Sequence, residues 1–401
     1  MEKNVYSSEI ERDIRSAVEN FEIVLREQVA RTQRMRAERE EKDVANKTGD
    51  LAPNSNRDKV IIGTAAGDGI GPIIMAEAER VLKAVLRDRL ASGSLVLKPI
   101  EGFTLENRLA AGKTVPDSVM AAMSECDVLL KGPTTTPNAA MNTANIESAN
   151  VYLRKSFDLF ANVRPVAIPE EGIDWIFFRE NTEGEYALGS KGEYITGELA
   201  VDFKVTTDEG TERIARAAYE YARANGKKRV SIVTKANIMK KTDGNFLNIC
   251  REVAKEYPEI ETDSWFIDIM AANLVNKEIR NNFQVFVLPN LYGDIITDEA
   301  AQIQGGVGTA GSANIGRNYA IFEAIHGSAP RMIEDGLGEY ANPSSLLKAA
   351  VMMLSHVGYR NESKRLEDAL EAADKELGPR MTGMAGGATC REYAELVMSR
   401  L

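Results

Sequence analysis

Residues 283–316 read FQVFVLPNLYGDIITDEAAQIQGGVGTAGSANIG. The apolar and β-branched run 283–288 predicts a buried strand that ends at a Pro-Asn turn. Asp294 and Asp298 follow at i,i+4 spacing, so both carboxylates lie on one face of a helix beginning near the strand's carboxyl end, where α/β sheets keep their ligands. Such a pair favours either Mg²⁺ or Mn²⁺ between the acids or an acidic helix start suited to the helix dipole. Spacing alone leaves both interpretations open.

The length and charge of the chain limit its architecture and its partners. A chain of 401 residues predicts two domains, and 44% hydrophobic with 27% charged residues is typical of a soluble globular protein. The formal net charge of −11 argues against a nucleic-acid partner, and no apolar run is long enough to cross a membrane. The expected partners are therefore small molecules or copies of the chain itself.

The cysteines and the N-terminus indicate a compartment. Cys126, Cys250 and Cys390 are odd in number and far apart, which predicts a reducing environment and neither a disulfide framework nor a zinc site. The N-terminus lacks the order of a secretory signal and is too rich in Glu for a transit peptide. We therefore expect a cytoplasmic protein. With only two histidines, catalysis would depend on Lys, Tyr or carboxylate groups.

The first 66 residues predict a helical arm, a linker and a strand. Residues 8–44 predict one long charged helix with an apolar stripe of Ile10, Ile14, Val18, Phe21, Leu25 and Val29. The stripe needs a surface to lie against, either on its own or a neighbouring subunit or on a regulatory partner. Residues 46–58 predict a polar linker, and residues 59–66 predict a strand.

The glycine-rich segment GDGIGP at 67–72 does not predict a Rossmann fold. Its third glycine comes one position too early for the dinucleotide fingerprint, and Asp68 would repel a pyrophosphate. A tight strand-to-helix turn with Pro72 near the first helical position explains the glycines.

Three arginines and a third acid occur beside apolar residues. Arg154, Arg164 and Arg179 are interleaved with residues that predict a core, so each guanidinium needs a carboxylate, supplied either internally or by a substrate with several carboxylates. Asp268 is enclosed by apolar residues at the head of a predicted helix, where it needs a counterion or a metal. The loop 323–343 could wrap a flat ligand or serve only as a connection.

Seven segments together resemble the β-decarboxylating dehydrogenases, the family of isocitrate, 3-isopropylmalate, homoisocitrate and tartrate/D-malate dehydrogenases. The resemblance begins near residue 59 and rests on GDGIGP, KGPTTTP, NVYLRKSFDLFANVRP, RENTEGEY, TKANIMK, NLYGDIITDEAAQIQGGVG and HGSAP, in the family's order. It implies an α/β fold that is not Rossmann. The implied parts are an N-terminal helical arm and linker (1–57), a large cofactor-binding domain (58–159 plus 306–401), and a small domain (160–305) with the dimer interface and metal site.

The resemblance also implies a role for each motif residue. Asp294 and Asp298 would bind Mg²⁺ or Mn²⁺, with Asp268 reaching the same ion from another subunit of a homodimer or larger homo-oligomer. Tyr186 and the other subunit's Lys235 would transfer protons. Substrate would contact Arg154, Arg164, Arg179 and Asn237, and the cofactor would contact Thr136, His326, Gly327, Ser328, Ala329, Arg331 and Asn342.

The residues before Arg154 indicate the substrate. Isocitrate enzymes of the family carry a Ser and an Asn there for the γ-carboxylate, and Ser148 with Asn150 match that pattern. We therefore expect metal-dependent oxidative decarboxylation of isocitrate to 2-oxoglutarate and CO₂, with homoisocitrate or 3-isopropylmalate as the alternative. A catalytically silent regulatory subunit would have lost one of these residues, and none is missing.

The cofactor is less clearly marked. Family members specific for NAD carry an Asp after HGSAP, and NADP enzymes carry Lys followed by Tyr, whereas this chain has Arg331 and Met332. Arg331 could pair with a 2′-phosphate, but Glu334, Asp335 and Glu339 make the loop acidic. NAD is therefore expected, with NADP as the alternative.

Overall fold

A computed structural model describes residues 8–43, 59–137, 146–189, 191–306 and 310–401, with side chains omitted for 38–43. The predicted linker 46–58 lies outside these ranges. Within them, no helix combines the length and apolar character that crossing a membrane requires.

Ten strands form one mixed sheet in the order β2-β1-β3-β12-β11-β4-β5-β10-β8-β9, and β6 pairs with β7 separately. Strand β4 runs antiparallel to β5 and β11, β11 runs antiparallel to β12, and the other neighbours in the large sheet are parallel. The strands are β1 Val60–Ala65, β2 Leu95–Pro99, β3 Val128–Lys131, β4 Ala161–Ile168, β5 Ile173–Glu180, β6 Glu193–Ile195, β7 Leu199–Val201, β8 Arg229–Thr234, β9 Glu261–Phe266, β10 Val285–Leu288, β11 Gly311–Ile315 and β12 Ala320–Ala324.

The helices cover both faces of this sheet. They are α1 Ser8–Asp43, α2 Gly71–Val85, α3 Arg87–Ser92, α4 Leu105–Ala111, α5 Asp117–Ser124, α6 Ala149–Ser156, α7 Asp208–Ala224, α8 Thr242–Ala254, α9 Ile267–Val275, α10 Asn290–Gln304, α11 Pro330–Glu334, α12 Ser344–His356, α13 Arg360–Leu377 and α14 Cys390–Arg400.

Alternation along the strands divides the core between the two faces. In β10, Val285 and Val287 join the core cluster of α2, α7, α8 and α12–α14, whereas Phe286 and Leu288 join the cluster of α9 and α10. A third cluster lies under α5 and α6. Because successive side chains point to opposite faces, a short, wholly apolar strand is what a sheet covered on both sides requires.

The segment that began the sequence analysis folds as expected. Residues 285–288 form the fully buried strand β10, and α10 begins at Asn290, directly after the predicted turn. Asp294 and Asp298 are therefore one helical turn apart.

The glycine segment after β1 is a structural turn, as predicted. Gly67 and Gly69 have φ of 74° and 59°, and a Cβ on Gly69 would come within 1.9 Å of the Ser328 carbonyl oxygen. The Asp68 carboxylate accepts hydrogen bonds from the backbone of Leu105 (2.7 Å) and Thr135 (2.8 Å). Asp68 therefore holds two loops together.

The strand order separates two parts of the chain. Strands β1, β2, β3, β11 and β12 occupy one half of the sheet, and β4, β5, β8, β9 and β10 occupy the other. Each half corresponds to one of the expected domains, 58–159 plus 306–401 and 160–305. The sheet is continuous through the β11–β4 pair, so the division into two domains stays a prediction.

The N-terminal helix forms as predicted, but only part of its predicted stripe, Ile10, Ile14 and Phe21, is partly buried. Ala17 and Val24 are buried, and Phe21 packs edge-on against Phe203, with 5.0 Å between ring centroids. Three members of the predicted stripe, Val18, Leu25 and Val29, are 57–61% exposed. Helical periodicity fixes which residues share a face but not which face meets the body of the protein.

Candidate active site

Two arginines contact Asp294, and the charge of a third acts on it. Arg154 comes from α6, Arg164 from β4 and Arg179 from the end of β5, and their side chains are 12%, 8% and 1% exposed. Arg179 Nη1 donates a hydrogen bond to Asp294 Oδ1, and Arg164 Nη2 lies 3.6 Å from the same oxygen. We call Arg154, Arg164, Arg179 and Asp294 the arginine cluster.

The second acid of the helix belongs to the same group. Arg164 Nη1 donates to Asp298 Oδ1 at 2.9 Å and to Thr297 Oγ1 at 2.6 Å. Both acids therefore contact one guanidinium, which fits the predicted common face of α10. The Asp298 side chain is 57% exposed, whereas that of Asp294 is 36% exposed.

Burial and charge change the pKa values in this cluster. Burial, reinforced by the neighbouring Arg154 and Arg164, lowers the pKa of Arg179 to about 9. Burial also lowers the pKa of Arg154. Burial would raise the pKa of Asp294, but Arg179, the Tyr186 hydrogen bond and the other two arginines outweigh it and hold that pKa below its usual value.

Tyr186 joins the cluster through its hydroxyl. The Tyr186 Oη–H donates to Asp294 Oδ2 at 2.6 Å. Burial and this hydrogen bond to a carboxylate raise the pKa of Tyr186 to about 12. The phenol therefore keeps its proton at neutral pH, the state from which it can act as a general acid.

Two predicted substrate residues lie on the helix that carries Arg154. Ser148 directly precedes α6, and Asn150 lies in its first turn, where its Oδ1 accepts a hydrogen bond from Thr134 Oγ1 at 3.1 Å. One hydroxyl of the loop after β3, that of Thr134, therefore contacts a residue of the predicted γ-carboxylate site.

Asn290 supports the cluster, a role that sequence reasoning missed. Its Oδ1 accepts from Arg179 Nε (3.0 Å) and Nη2 (2.7 Å), and its Nδ2 donates to the Glu183 carbonyl oxygen (2.9 Å). A Cβ on Gly293 would lie 2.5 Å from Arg179 Cγ, so this glycine makes room for the arginine stem. Asn290 and Gly293 both lie within residues 283–316. The sequence signal that could have predicted their role is an amide side chain at the start of a helix with a glycine nearby.

A buried ion pair behind the cluster was also missed. Lys131, at the end of β3, lies 2.7 Å from Glu323 in β12, and Arg154 lies 3.7 Å from the same carboxylate. Burial would raise the pKa of Glu323, but Lys131 and Arg154 lower it to about 2. The sequence signal for this ion pair was one charged residue in each of two otherwise apolar strands, VLLK and AIFEA.

Lys235 and Asp268 form a separate pair. Lys235 follows β8, Asp268 opens α9 after β9, and Lys235 Nζ lies 2.5 Å from Asp268 Oδ1. The Lys235 hydrogen bond and charge lower the pKa of Asp268, although its side chain is 58% exposed. Asn237, predicted to support the substrate, is exposed beside them. Among the described residues, no three acidic, His or Cys side chains group as a metal site, so Asp268 does not complete the Asp294/Asp298 pair within one chain.

The predicted cofactor residues lie on the loop after β12 and its neighbours. Ser328 Oγ lies 2.7 Å from Thr135 Oγ1, and Ala329 adopts a left-handed φ of 44° directly before α11. Asn342 Oδ1 accepts from the Ser344 backbone at 2.9 Å. The remaining members, Thr136, Gly327 and Arg331, lie on the same loops with part or all of their surface open to solvent.

His326 has an unused polar atom. Its Nδ1 lies 3.0 Å from the Gly327 carbonyl oxygen, while Nε2 is buried without a hydrogen-bond partner among the described residues. Burial lowers the pKa of His326, so the ring is neutral and Nε2 is an acceptor when Nδ1 donates. The loop therefore fits a ligand that donates a hydrogen bond, as an adenine amino group does.

The arginine cluster also has unused donors. Within the described residues, Arg154 Nε and Arg164 Nε are buried without acceptors. Buried donors of this kind are costly unless a ligand meets them, and guanidinium forks match carboxylates. Asp294 and Asp298 supply the oxygen-only donors that Mg²⁺ or Mn²⁺ prefers, so the residues fit both a polycarboxylate and a divalent ion.

Comparison with known proteins gives consistent matches. A model of the isocitrate/isopropylmalate dehydrogenase family matches residues 61–397. Isocitrate dehydrogenase [NAD] subunit 2 of Schizosaccharomyces pombe, a mitochondrial protein, is 38% identical over 84% of this chain and 86% of its own length. A mitochondrial regulatory subunit of isocitrate dehydrogenase [NAD] from Dictyostelium discoideum is 38% identical over 84% of this chain and 90% of its own length.

A solved structure agrees with the fold. Isocitrate dehydrogenase from Methylococcus capsulatus superposes with a TM-score of 0.73 at 34% identity, covering 85% of this chain and 99% of its own. The expected mixed α/β fold of this family, with an added N-terminal helix, is thereby confirmed.

The expected cytoplasmic location is wrong. Both relatives named above are mitochondrial proteins. The expectation rested on free cysteines, which are buried here, and on a charged N-terminus. Burial raises the pKa values of these thiols and makes them unreactive whatever the compartment, so they carry no information about it.

Proposed function

The chain belongs to the isocitrate/isopropylmalate dehydrogenase family, and from that premise we propose that it catalyses the oxidative decarboxylation of isocitrate to 2-oxoglutarate and CO₂ with NAD. One observation carries the proposal. Three buried guanidinium groups converge beside two acids on one helix face, and two of the guanidiniums keep unused buried donors. A substrate with several carboxylates meets those donors.

Ser148 and Asn150 support isocitrate over its homologues. A hydroxyl and an amide at the start of α6 suit a γ-carboxylate, whereas an isopropyl group would leave them unpaired. The named relatives are also isocitrate dehydrogenases. Homoisocitrate or 3-isopropylmalate remains the alternative substrate.

The chain's own residues position the substrate and move protons. Arg154, Arg164 and Arg179 hold its carboxylates, and Asn237 supports them. Tyr186, protonated at neutral pH, donates a proton to the carbon that loses CO₂, and Lys235 returns the proton to the phenol. We assign Lys235 to the site of another subunit, and its pairing with Asp268, the acid also assigned to that subunit's side of the site, supports this.

Two bound groups complete the chemistry. Asp294 and Asp298, with Asp268 of another subunit, would hold Mg²⁺ or Mn²⁺, which supplies Lewis-acid polarisation of substrate oxygens. Thr136, residues 326–329, Arg331 and Asn342 would hold NAD, which supplies the two-electron oxidation. The acidic residues Glu334 and Asp335 beside Arg331 favour NAD over NADP, as do the relatives' names.

Shared sites require an assembly. We propose a homodimer or larger oligomer in which residues 160–305 supply the interface and the metal site. The eukaryotic relatives are named as subunits, so a complex with a second related chain is the alternative. One relative is named a regulatory subunit, but this chain keeps the arginines, the Tyr/Lys pair and all three acids. A catalytic role is therefore favoured.

Initial-rate measurements test the proposal. With Mg²⁺, we expect kcat/KM to be highest for isocitrate among isocitrate, homoisocitrate, 3-isopropylmalate and D-malate, and higher with NAD than with NADP. Removal of metal by a chelator should abolish turnover, and Mn²⁺ should restore it. A preference for 3-isopropylmalate, or full activity without metal, would contradict the proposal.

A further inference from the structure

A cavity of about 280 Å³ lies between the N-terminal helix and the body of the protein. Arginines from three elements line it: Arg31 and Arg34 from α1, Arg213 from α7 and Arg317 from the turn between β11 and β12. The carboxylates in its lining are Asp158 and Glu209. None of the residues proposed to hold substrate, metal or NAD lines this cavity.

The side chain of Arg213 is buried and held in place in the lining of the cavity. Its side chain is 8% exposed, its Nη1 lies 2.9 and 2.8 Å from the two carboxylate oxygens of Asp158, and its Nη2 donates to Thr182 Oγ1 at 2.8 Å. Its Nε is buried and has no acceptor in the described part of the chain. The guanidinium is therefore fixed in place with one donor unused.

The other arginines have incomplete pairing. Arg317 Nη2 lies 3.5 Å from Glu209 Oε1, longer than a charge-assisted hydrogen bond. Arg31 Nη1 pairs with Glu183 Oε1 at 3.0 Å. Each guanidinium carries five N–H donors, so both keep donors for a further acceptor.

We infer that this cavity binds a small anion carrying a phosphoryl group. Guanidinium forks bind phosphate oxygens in pairs, and forks from three elements can surround one phosphorus centre. Four lining arginines against two lining carboxylates leave an excess of positive charge, which suits a group holding two negative charges on one atom. The volume of about 280 Å³ lies just below the usual range for ligand pockets, which suits a compact ligand.

Occupancy of the cavity is linked to the arginine cluster through Arg31. Arg31 pairs with the buried carboxylate of Glu183, and the Glu183 carbonyl oxygen accepts from Asn290, which holds Arg179. An anion that draws Arg31 toward the cavity therefore acts on Arg179 through three contacts. This consequence rests on the proposed function, since it predicts an altered KM for isocitrate.

Calorimetric titration with pyrophosphate tests the site on the full chain in metal-free buffer. We expect binding by the native protein and a Kd about tenfold higher in Arg34→Ala and in Arg317→Ala, the loss of roughly one charge-assisted hydrogen bond. Arg36→Ala removes the same charge from an exposed position of α1 outside the cavity and should leave Kd unchanged. Arg154→Gln should also leave it unchanged, because it weakens only the arginine cluster.

Several outcomes would overturn the inference. They are no pyrophosphate binding, equal Kd values for Arg34→Ala and the native protein, or loss of binding in Arg154→Gln, which would place the anion in the arginine cluster. Tighter binding of malonate than of pyrophosphate would reject phosphoryl selectivity. An isocitrate KM that bound pyrophosphate leaves unchanged would reject the coupling. The binding measurements require no turnover, so they stand apart from a failure of the proposed function, whereas the KM measurement depends on it.

Discussion

The arginine cluster and the Lys235–Asp268 pair use similar charges in opposite surroundings. The guanidiniums of the cluster are buried, and those of Arg164 and Arg179 hydrogen-bond to residues of α10 more than 100 positions away. The Lys235–Asp268 pair is open to solvent, with Asp268 58% exposed, and the apolar side chains of Ile238, Phe266 and Ile269 around it are 65%, 40% and 47% exposed.

The difference indicates that the arginine cluster is complete within one chain, whereas the Lys235–Asp268 pair needs a second subunit. The cluster has its charges fixed by packing within a single chain. The Lys235–Asp268 pair lies beside an uncovered apolar surface, a pattern typical of an interface. A second subunit would cover that surface and bring the amine to the first subunit's Tyr186.

Complementation between two inactive variants tests this interpretation most severely. Tyr186→Phe and Lys235→Met should each lower kcat by about 10²–10⁴-fold, the usual contribution of a positioned acid or base. Co-expressed with different tags and purified as a mixed dimer, they should recover about half the native activity, because one of two symmetric sites is then intact.

A matched control uses two residues from the same half-site. A mixed dimer of Tyr186→Phe with Arg154→Gln damages both sites and should show no recovery at isocitrate concentrations near the native KM. If the mixed dimer of Tyr186→Phe with Lys235→Met were equally inactive, Lys235 would act within its own chain, and the interpretation that its pair needs a second subunit would be wrong.

Removing the buried acid Glu323 should destabilise the fold. Glu323→Gln leaves Lys131, which is 2% exposed, without its counter-charge, and we expect a loss of about 3–5 kcal/mol in the free energy of unfolding at pH 7. The folded-state pKa of Glu323 is depressed to about 2. The stability that its carboxylate gives the native protein is therefore fully present above pH 4.5 and is lost as pH falls toward 2.

Urea unfolding at pH 7 and pH 3 measures both effects. The gap between Glu323→Gln and the native protein should narrow at pH 3. Glu125→Gln removes an exposed partner of Lys98 and should leave the midpoint nearly unchanged. If both variants shifted the urea midpoint by the same small amount, the Lys131–Glu323 pair would have to be in contact with solvent.

Loss of Arg154 should affect substrate binding with less effect on the fold. Among the described residues, Arg154 has one ion pair, a 3.7 Å contact with Glu323, and its Nε is buried and unused, so Arg154→Gln should weaken substrate binding more than it weakens the fold. We expect the KM for isocitrate to rise roughly 10- to 100-fold, the range for a charge-assisted hydrogen bond. Initial rates check this, with Lys155→Gln as the control on an exposed neighbouring position. An unchanged KM would exclude Arg154 from the substrate site.

Local patterns were predictable wherever a feature depends on neighbours in sequence. The strand before Asp294, the helix that carries it and the turn at Gly67 follow from side-chain periodicity and from φ angles that favour glycine. The face of α1 that meets the body of the protein was not predictable. Ala17 is buried and Val18 is exposed because of how the helix is rotated against the body, and the sequence of the helix does not set that rotation.

The sequence by itself determined the family, the α/β class and the two acids on one helical face, because these depend on ordered motifs and on the 3.6-residue repeat. Only the tertiary structure decided that Asn290 holds Arg179, that Lys131 meets Glu323, that Lys235 pairs with Asp268, and that arginines of three elements line a cavity. The physical reason is range. A helix places residues four apart in the same way in every fold, whereas contacts between residues more than 100 positions apart exist only once the whole sheet has formed.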